Sequence, residues 1–518
     1  MASLPDGSSK QSPLQQITQP FVDLVHAPRA LWGINLAYFL EGWVYFGMLG
    51  YLAMHFSDFV FRGVANPDVH SHHMVMVLTA GITISMFFFG SIADKKGVRT
   101  TLLWAFLLLL AGRIVWSSAP YVFPETGIWG GMHIMTMAGI LLVVLGYGMY
   151  QPAAYAGVRK YTSPKTAGMG YAMLYALMNL GGWLPSFFTF VREAIGITGA
   201  FWVYTGLTVT GLLTTWLILT PKVEAEAIAR ADRERRELET DADRAKAAAA
   251  KAAQVALDAG RKVPLHLWFT LLAVAASCLF APKPLGYALA AALAALVALL
   301  AAAPGPLRKA NLWLANHPLS DAKFFFFIFA LIPVQTLFTY NWLILPQYLE
   351  RAFSGGFVSE RFELFSNLNP ILIFVAVPIV AAITQQRKVY NMMVTGTFVM
   401  AAPAFLLAFG TNIYTLLGYL LIMTIGEAMW QPRFLQYAAE IAPEGRTGAY
   451  MGVAQFPWFL TKMLVPLYSG LALQKYVPAE GQQSPQQMWL MFAIIAMVSP
   501  ILLVLAKGWV GRDFKTKS

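Results

Sequence analysis

From residue 29 to residue 507 the chain is a succession of apolar runs of about 20 residues, each long enough to cross ~30 Å of hydrocarbon, separated by short polar turns. Lipid offers no partner for a peptide N–H or C=O, so runs of this kind satisfy their backbones internally, as helices. With 58% hydrophobic and 12% charged residues in a 518-residue chain, the expectation is an all-α polytopic membrane protein. The runs fall at about 29–54, 73–92, 100–118, 132–155, 166–191 and 199–219. A pair follows at 264–281 and 285–303, joined by Pro-Lys-Pro at 282–284. Six more lie at 323–349, 364–385, 389–409, 412–441, 447–474 and 487–507. The expected count is fourteen spans: two six-helix bundles with an inserted two-helix hairpin.

The domains read accordingly: a tail at 1–28, a first bundle at 29–220, a charged linker at 221–263, the hairpin at 264–304, a second bundle at 305–508 and a tail at 509–518. The linker is Ala-rich and mixes both charge signs, as in Arg233-Glu234-Arg235-Arg236-Glu237, which reads as a solvated, partly helical spacer. The net charge of +11 does not point to nucleic acid. Lys95, Lys96, Arg99, Arg159, Lys160, Lys165, Arg308, Lys309, Arg387, Lys388 and Arg446 fall on one side of the spans, so the positive-inside rule places both termini in the cytoplasm. Cys278 is the single cysteine, which excludes an intramolecular disulfide, and the N-terminal residues lack the pattern of a cleavable signal. There is no metal-ligand cluster, phosphate loop or nucleophile–base set, so neither a cofactor nor an enzyme is expected.

Ionisable residues inside the apolar runs are the functional candidates, because a charge at mid-bilayer costs at least ~2.5–3.5 kcal/mol. Glu41, Glu427 and Lys462 are placed so, and are read as proton-coupling residues. Glu427 and Lys462 flank the turn at 442–446 symmetrically, each roughly 24 Å from it at ~1.5 Å per residue, and are expected to meet as a pair. Arg113 lies near an outer helix end and reads as snorkelling to water; Arg433 and Glu440 read as meeting water, and His133 receives no role. Polar residues three and four apart form stripes suited to a central cleft. These are Tyr38, Glu41 and Tyr45; Tyr147, Gln151 and Tyr155; Tyr171, Tyr175 and Asn179; Gln335, Thr339 and Trp342; Glu427 and Gln431; and Gln455, Trp458 and Lys462. Tyr38, Tyr45, Gln151, Tyr175, Asn179, Gln335, Asn369, Gln431, Gln455 and Trp458 are the candidate substrate-binding residues, since Tyr and Trp join apolar area to a hydrogen-bonding tip. The competing reading of such Tyr and Asn residues is packing and interhelical hydrogen bonding. Pro152, Pro185, Pro370, Pro432 and Pro457 interrupt apolar runs; Pro432 and Pro457, each five residues from a charge, are candidate flexing points of a gate.

The loop Gly90-Ser91-Ile92-Ala93-Asp94-Lys95-Lys96-Gly97-Val98-Arg99 resembles the signature loop of the major facilitator superfamily, with Asp94 and Arg99 as gating candidates. Four further stretches resemble the proton-coupled oligopeptide transporter family. They are LEGWVYFGML in the first span, GYGMYQPAAYAG through GMGYAMLYALMNLGGWLPS with Pro152 and Asn179, FSNLNPILIF with Asn369 and Pro370, and IGEAMWQP with Glu427. The chain departs from the family where cations are expected: Gly42 occupies the arginine position beside Glu41, Tyr38 an earlier glutamate, and Gln151 the lysine before proline. Lys462 is a cation that the family pattern does not place. The resemblance implies a major facilitator fold, a bacterial inner-membrane location, with an extra hairpin usual among bacterial members, and proton-driven symport of di- or tripeptides or peptide-like solutes by alternating access. The expected partners are a small organic solute, a proton and the bilayer, the protein acting as a monomer. Other readings are a transporter of organic anions, amino-acid conjugates or drugs, a lipid flippase, and a non-transporting scaffold or sensor.

Overall fold

The computed structural model describes residues 28–89, 92–162, 167–238, 261–277, 285–302, 307–384, 387–441, 450 and 452–510. Every regular element among them is helical. The first half comprises α1 (Arg29–His55), α2 (Pro67–Phe89), α3 (Val98–Val122), α4 (Gly131–Tyr161), α5 (Ala167–Trp183) and α6 (Thr189–Ile218), followed by α7 (Pro221–Leu238). Next come α8 (Leu265–Ser277), α9 (Leu285–Ala302), α10 (Ala322–Ala330), α11 (Ile332–Leu343), α12 (Leu345–Ala352), α13 (Phe362–Ser366) and α14 (Leu368–Thr384). The chain continues through α15 (Val389–Ala401), α16 (Ala404–Phe409), α17 (Ile413–Ile441), α18 (Phe456–Tyr476) and α19 (Pro485–Leu505). Seven stretches of the described residues are long and apolar enough to cross a membrane: 98–122, 131–161, 189–218, 322–343, 389–409, 413–435 and 485–505.

Several expected boundaries move, each for a local reason. The second helix begins at Pro67, six residues before the apolar run. Pro185 does not kink a long fifth helix; α5 stops at Trp183 and a 3-10 turn holds the proline. α6 starts at Thr189 and bends at Gly196, whose φ of +70° favours glycine. Pro370 and Pro457 also fall in the first turns of α14 and α18, where a missing N–H is no loss. The run read as 447–474 is broken by a turn at Ala454–Gln455, so Pro457 starts a helix rather than flexing one. Pro152 and Pro432 do lie inside continuous helices.

The chain divides into two compact units. The larger holds Met1–Leu238, Pro333–Pro432 and Trp458–Val504. Its helices approach closely through glycine, as expected where lipid supplies no drive for helices to associate and packing must. A Cβ on Gly112 of α3 would stand 2.6 Å from the Gly139 carbonyl of α4, and a Cβ on Gly139 would stand 2.6 Å from that of Gly112. Gly426 of α17 abuts the backbone of Met400 in α15 in the same manner. At Gly42 of α1 a Cβ would lie 3.0 Å from the Met178 carbonyl of α5. α7 packs on α4 and α1; it buries Ala227 and Ala231, and its Glu224 accepts from the Tyr161 hydroxyl at 2.9 Å. Residues 221–238 of the spacer read as solvated and partly helical are therefore a helix docked through these residues; residues 239–260 lie outside the described chain.

The smaller unit holds Glu239–Ile332, Arg433–Pro457 and Leu505–Ser518. α8 packs on α9, and His266 of α8 bonds the Leu319 carbonyl at 2.9 Å. Asp321 caps α10, accepting from the backbone N–H of Lys323 at 2.9 Å and of Phe324 at 3.1 Å. The phenylalanines of α10 pack on Tyr437, Tyr450 and Trp509.

Candidate transport site

The strongest polar cluster joins four helices of the first half. Arg113 of α3 is 1% exposed, as is Glu41 of α1. The guanidinium grips the carboxylate with both terminal nitrogens: Nη1 donates to Oε2 at 2.9 Å, and Nη2 donates to Oε1. Nη1 also donates to the Thr208 hydroxyl of α6 at 2.7 Å, and Nη2 to the Tyr147 hydroxyl of α4 at 3.1 Å. Tyr147 in turn donates to Glu41. The expected snorkelling of Arg113 is thus corrected. A two-pronged bond to a buried carboxylate outweighs a reach to water, because the unpaired carboxylate would otherwise remain in an apolar interior.

This geometry supplies Glu41 with a cation from another helix. At Gly42, where the family resemblance expects arginine, a side chain would press on the Met178 carbonyl of α5, 3.0 Å from a Cβ. Around the ion pair lies an aromatic wall. Tyr38 stacks on Tyr150 at 5.7 Å, Tyr45 meets Tyr147 edge-on at 5.2 Å, and Phe106 meets Tyr150 at 5.3 Å. Gln151 donates weakly to the Tyr38 hydroxyl at 3.4 Å.

In the second half, Glu427 of α17 is 2% exposed and is held by amides. Asn369 of α14 donates to Oε2 at 2.9 Å, and Gln431, one turn along, donates to Oε1 at 3.0 Å. Asn369 also donates to Thr424 at 3.0 Å. The expected ion pair with Lys462 does not form: among the described residues neither side chain has an ionic partner within 4.0 Å. Equal spacing from a turn fixes the depth of two residues and leaves their azimuth open, and Glu427 faces α14. Lys462 is half-buried on α18, and its carbonyl accepts from Thr79 of α2 at 3.4 Å.

The remaining candidates scatter. Trp458 stacks on Trp430 at 6.4 Å. Gln335 is fully buried, and neither end of its amide has a partner; the same holds for the Thr339 hydroxyl. Asn179 is half-buried on α5. Gln455 is exposed in the turn before α18, outside any stripe with Trp458. Arg99 donates to the Leu219 carbonyl at the end of α6 at 2.7 Å, securing a helix terminus. The side chains of Tyr171, Tyr175, Asp94 and Glu440, and the turn at 442–446, lie outside the described residues.

Sequence reasoning missed a second cluster, which ties the two halves together at one end. Asp68, at the start of α2, receives both terminal nitrogens of Arg351 on α12, each at 2.8 Å. Gln347 of α12 donates to Asp68 at 3.3 Å, and its amide oxygen bonds His72 of α2 at 2.9 Å. His72 also bonds the Ser469 hydroxyl of α18 at 2.7 Å. Glu363 of α13, 2% exposed, accepts from Tyr51 at 2.9 Å, from Thr189 at 3.0 Å and from Arg192. Two further carboxyls flank this network beyond the spans. Burial pushes Asp58 above its usual range, against opposition from the Ser57 hydroxyl and Arg351. Burial raises Glu350 too, with the charge of Asp58 adding to the effect. The available signal in the sequence was the concentration of both charge signs in the turns at 58–68 and 350–363.

Comparison with known proteins decides the family. The model of the Major Facilitator Superfamily matches residues 31–466. The chain belongs to the major facilitator superfamily. No curated protein matches it by sequence. Among solved structures, the facilitator is similar in fold to the POT family transporter PepTSo, with a TM-score of 0.64 and 18% identity over 94% of this chain and 99% of that one. It is similar as well to a peptide transporter POT in complex with sulfate, at a TM-score of 0.61 and 17% identity over 94% and 95% of the two chains. A POT family transporter in complex with 5-aminolevulinic acid gives 0.61 and 16% over 94% and 97%.

Proposed function

We propose that this facilitator is a proton-coupled secondary transporter that carries small peptides, or organic solutes of similar size, by alternating access. The observation supporting the coupling is Glu427: a carboxyl buried in a membrane helix, bonded to amides and, among the described residues, to no cation. Intramembrane ionisable groups are costly, and they mark ion and proton pathways. Gain of a proton at Glu427 alters the charge at the Asn369 and Gln431 amides that hold it, so it acts directly on the packing of α14 against α17. Glu41, locked to Arg113, is a second carboxyl buried in a membrane helix and the holder of the first-half cluster.

The Asp68–Arg351 and Glu363–Arg192 links act as the closed gate of one side. With both termini cytoplasmic in a bacterial inner membrane, that side is the outer one. The chain is then organised as two six-helix bundles, 29–220 and 305–508, with 264–304 as an additional pair of spans to make fourteen. Uptake of labelled di- and tripeptides, and of their monoanionic N-acetyl forms, into proteoliposomes under an inward proton gradient tests this reading. The wild-type protein is expected to accumulate solute when the gradient is imposed, and Glu427→Gln to abolish accumulation. Unchanged accumulation in that variant removes Glu427 from coupling.

A further inference from the structure

We infer that the transported solute is recognised through an anionic group seated on Lys462, and that a monoanionic solute crosses with one proton as an electrically neutral pair. The inference deepens the proton-coupled reading and rests on it for the proton. Two cations, Arg113 and Lys462, are central to the described membrane helices. Arg113 is fully occupied, with bonds to Glu41, Thr208 and Tyr147. It has no free face for a ligand. Lys462 differs: its ammonium has no hydrogen bond or ion pair among the described residues. It lies on the seam between the halves, since Thr79 of α2 bonds its carbonyl.

The Trp430–Trp458 stack sets the levels of α17 and α18. Consecutive spans of a facilitator run in opposite directions. Glu427 is three residues from Trp430 and Lys462 four from Trp458, about 4.5 and 6 Å along the axes. The acid and the ammonium therefore share a depth while facing different neighbours. Glu427 meets Asn369 of α14 and, on its own helix, Gln431, while Asn369 also donates to the Thr424 hydroxyl. Tyr419, two turns earlier, directs its hydroxyl to Asn341 at 3.0 Å. α15 offers Met400 to Trp430. Beside Lys462, α2 offers Thr79, and about two turns further along α18 Tyr468 meets Tyr340 of α11 and Ser469 meets His72. None of these brings a carboxylate to Lys462.

The charge balance follows. Glu41 and Arg113 cancel. Ionised Glu427 offsets Lys462 at a distance; a proton on Glu427 leaves one uncompensated positive charge at mid-depth, which lipid penalises. A single carboxylate on Lys462 restores neutrality. A zwitterion does not, because its ammonium returns the positive charge. The required ligand chemistry is a monoanion with an apolar or aromatic body, suited to the tyrosines of α1 and α4.

Three charge forms of one peptide test this: alanyl-phenylalanine, its N-acetyl derivative and its C-terminal amide, each with the full-length chain. Thermal-shift titration reads binding. The N-acetyl monoanion is expected to bind and the amide not. Lys462→Gln is expected to raise the half-saturating concentration of the N-acetyl form about tenfold or more, the loss of one charge-assisted bond, and Lys462→Arg to restore it. Unaltered melting of the ligand-free variants confirms their folding. Equal binding of the amide and N-acetyl forms, or unaltered binding of the N-acetyl form to folded Lys462→Gln, overturns the role of Lys462. Proteoliposome uptake under a proton gradient then reads the charge carried. Uptake of the N-acetyl form that is indifferent to an imposed membrane potential supports neutral co-transport, and potential-driven uptake overturns it. If no form responds to the gradient while binding still requires the carboxylate, proton coupling and neutral co-transport fail, and anion recognition by Lys462 stands.

Discussion

Arg113 and Glu41 are each buried, and each is the other's only ionic partner among the described residues, with Thr208 and Tyr147 supplying the remaining hydrogen bonds. Removing one partner from such a pair strands the other charge, at a cost of ~3–5 kcal/mol. Arg113→Leu is therefore expected to lower the thermal unfolding midpoint in detergent sharply, while Glu41→Gln combined with Arg113→Gln is milder than the sum of the single changes. Additive effects would show that the two do not act as a unit. Glu41 and Glu427 were legible as buried acids because an apolar run leaves a carboxylate nowhere to go. Their partners were not. Helical spacing says which residues share a face of one helix; it does not say which helix that face meets. Glu41 thus met a residue 72 positions away, and Glu427 turned to Asn369, 58 positions away, instead of Lys462.

At the level of helices, the outline was largely readable from apolar length, and its ends were not. Turn chemistry determined those: a proline in a first turn begins a helix, and Gly196 bends one. The close crossing of α3 and α4 depends on Gly112 and Gly139. Gly112→Val pushes a side chain into a backbone carbonyl and the Val143 side chain, so a loss of at least ~1–3 kcal/mol is expected, read as a lower melting temperature. Pro432 lies within α17, five residues from Glu427. If the bending that a proline permits there serves gating, Pro432→Ala slows substrate turnover in proteoliposomes with little change in affinity; an unaltered rate removes Pro432 from gating.

Across the whole molecule, the hydrogen bonds between halves at Asp68, His72, Arg351 and Glu363 define a closed end. Asp68→Asn weakens the Arg351 link and is expected to increase labelling of a cysteine introduced at Ser469 in a Cys278→Ser background. Closure should also respond to pH through Asp58 and Glu350. Both carboxyls are raised by burial in the closed arrangement, so their neutral forms favour it. That contribution is complete below the ordinary carboxyl range near ~4 and is lost as pH rises through the raised values. The same labelling should therefore increase from acid toward neutral pH, and Asp58→Asn with Glu350→Gln should flatten the profile. A profile unchanged by the double substitution removes these groups from the response.

The pairing of Glu41 with Arg113 has a consequence for tracing descent among facilitators. A column-by-column comparison scores glycine at 42 and arginine at 113 as two independent differences. On the resemblance that puts an arginine at 42, they are one exchange in space: Glu41 here takes its cation from the third helix. Among relatives of this chain, glycine at the first place should therefore co-occur with arginine at the second.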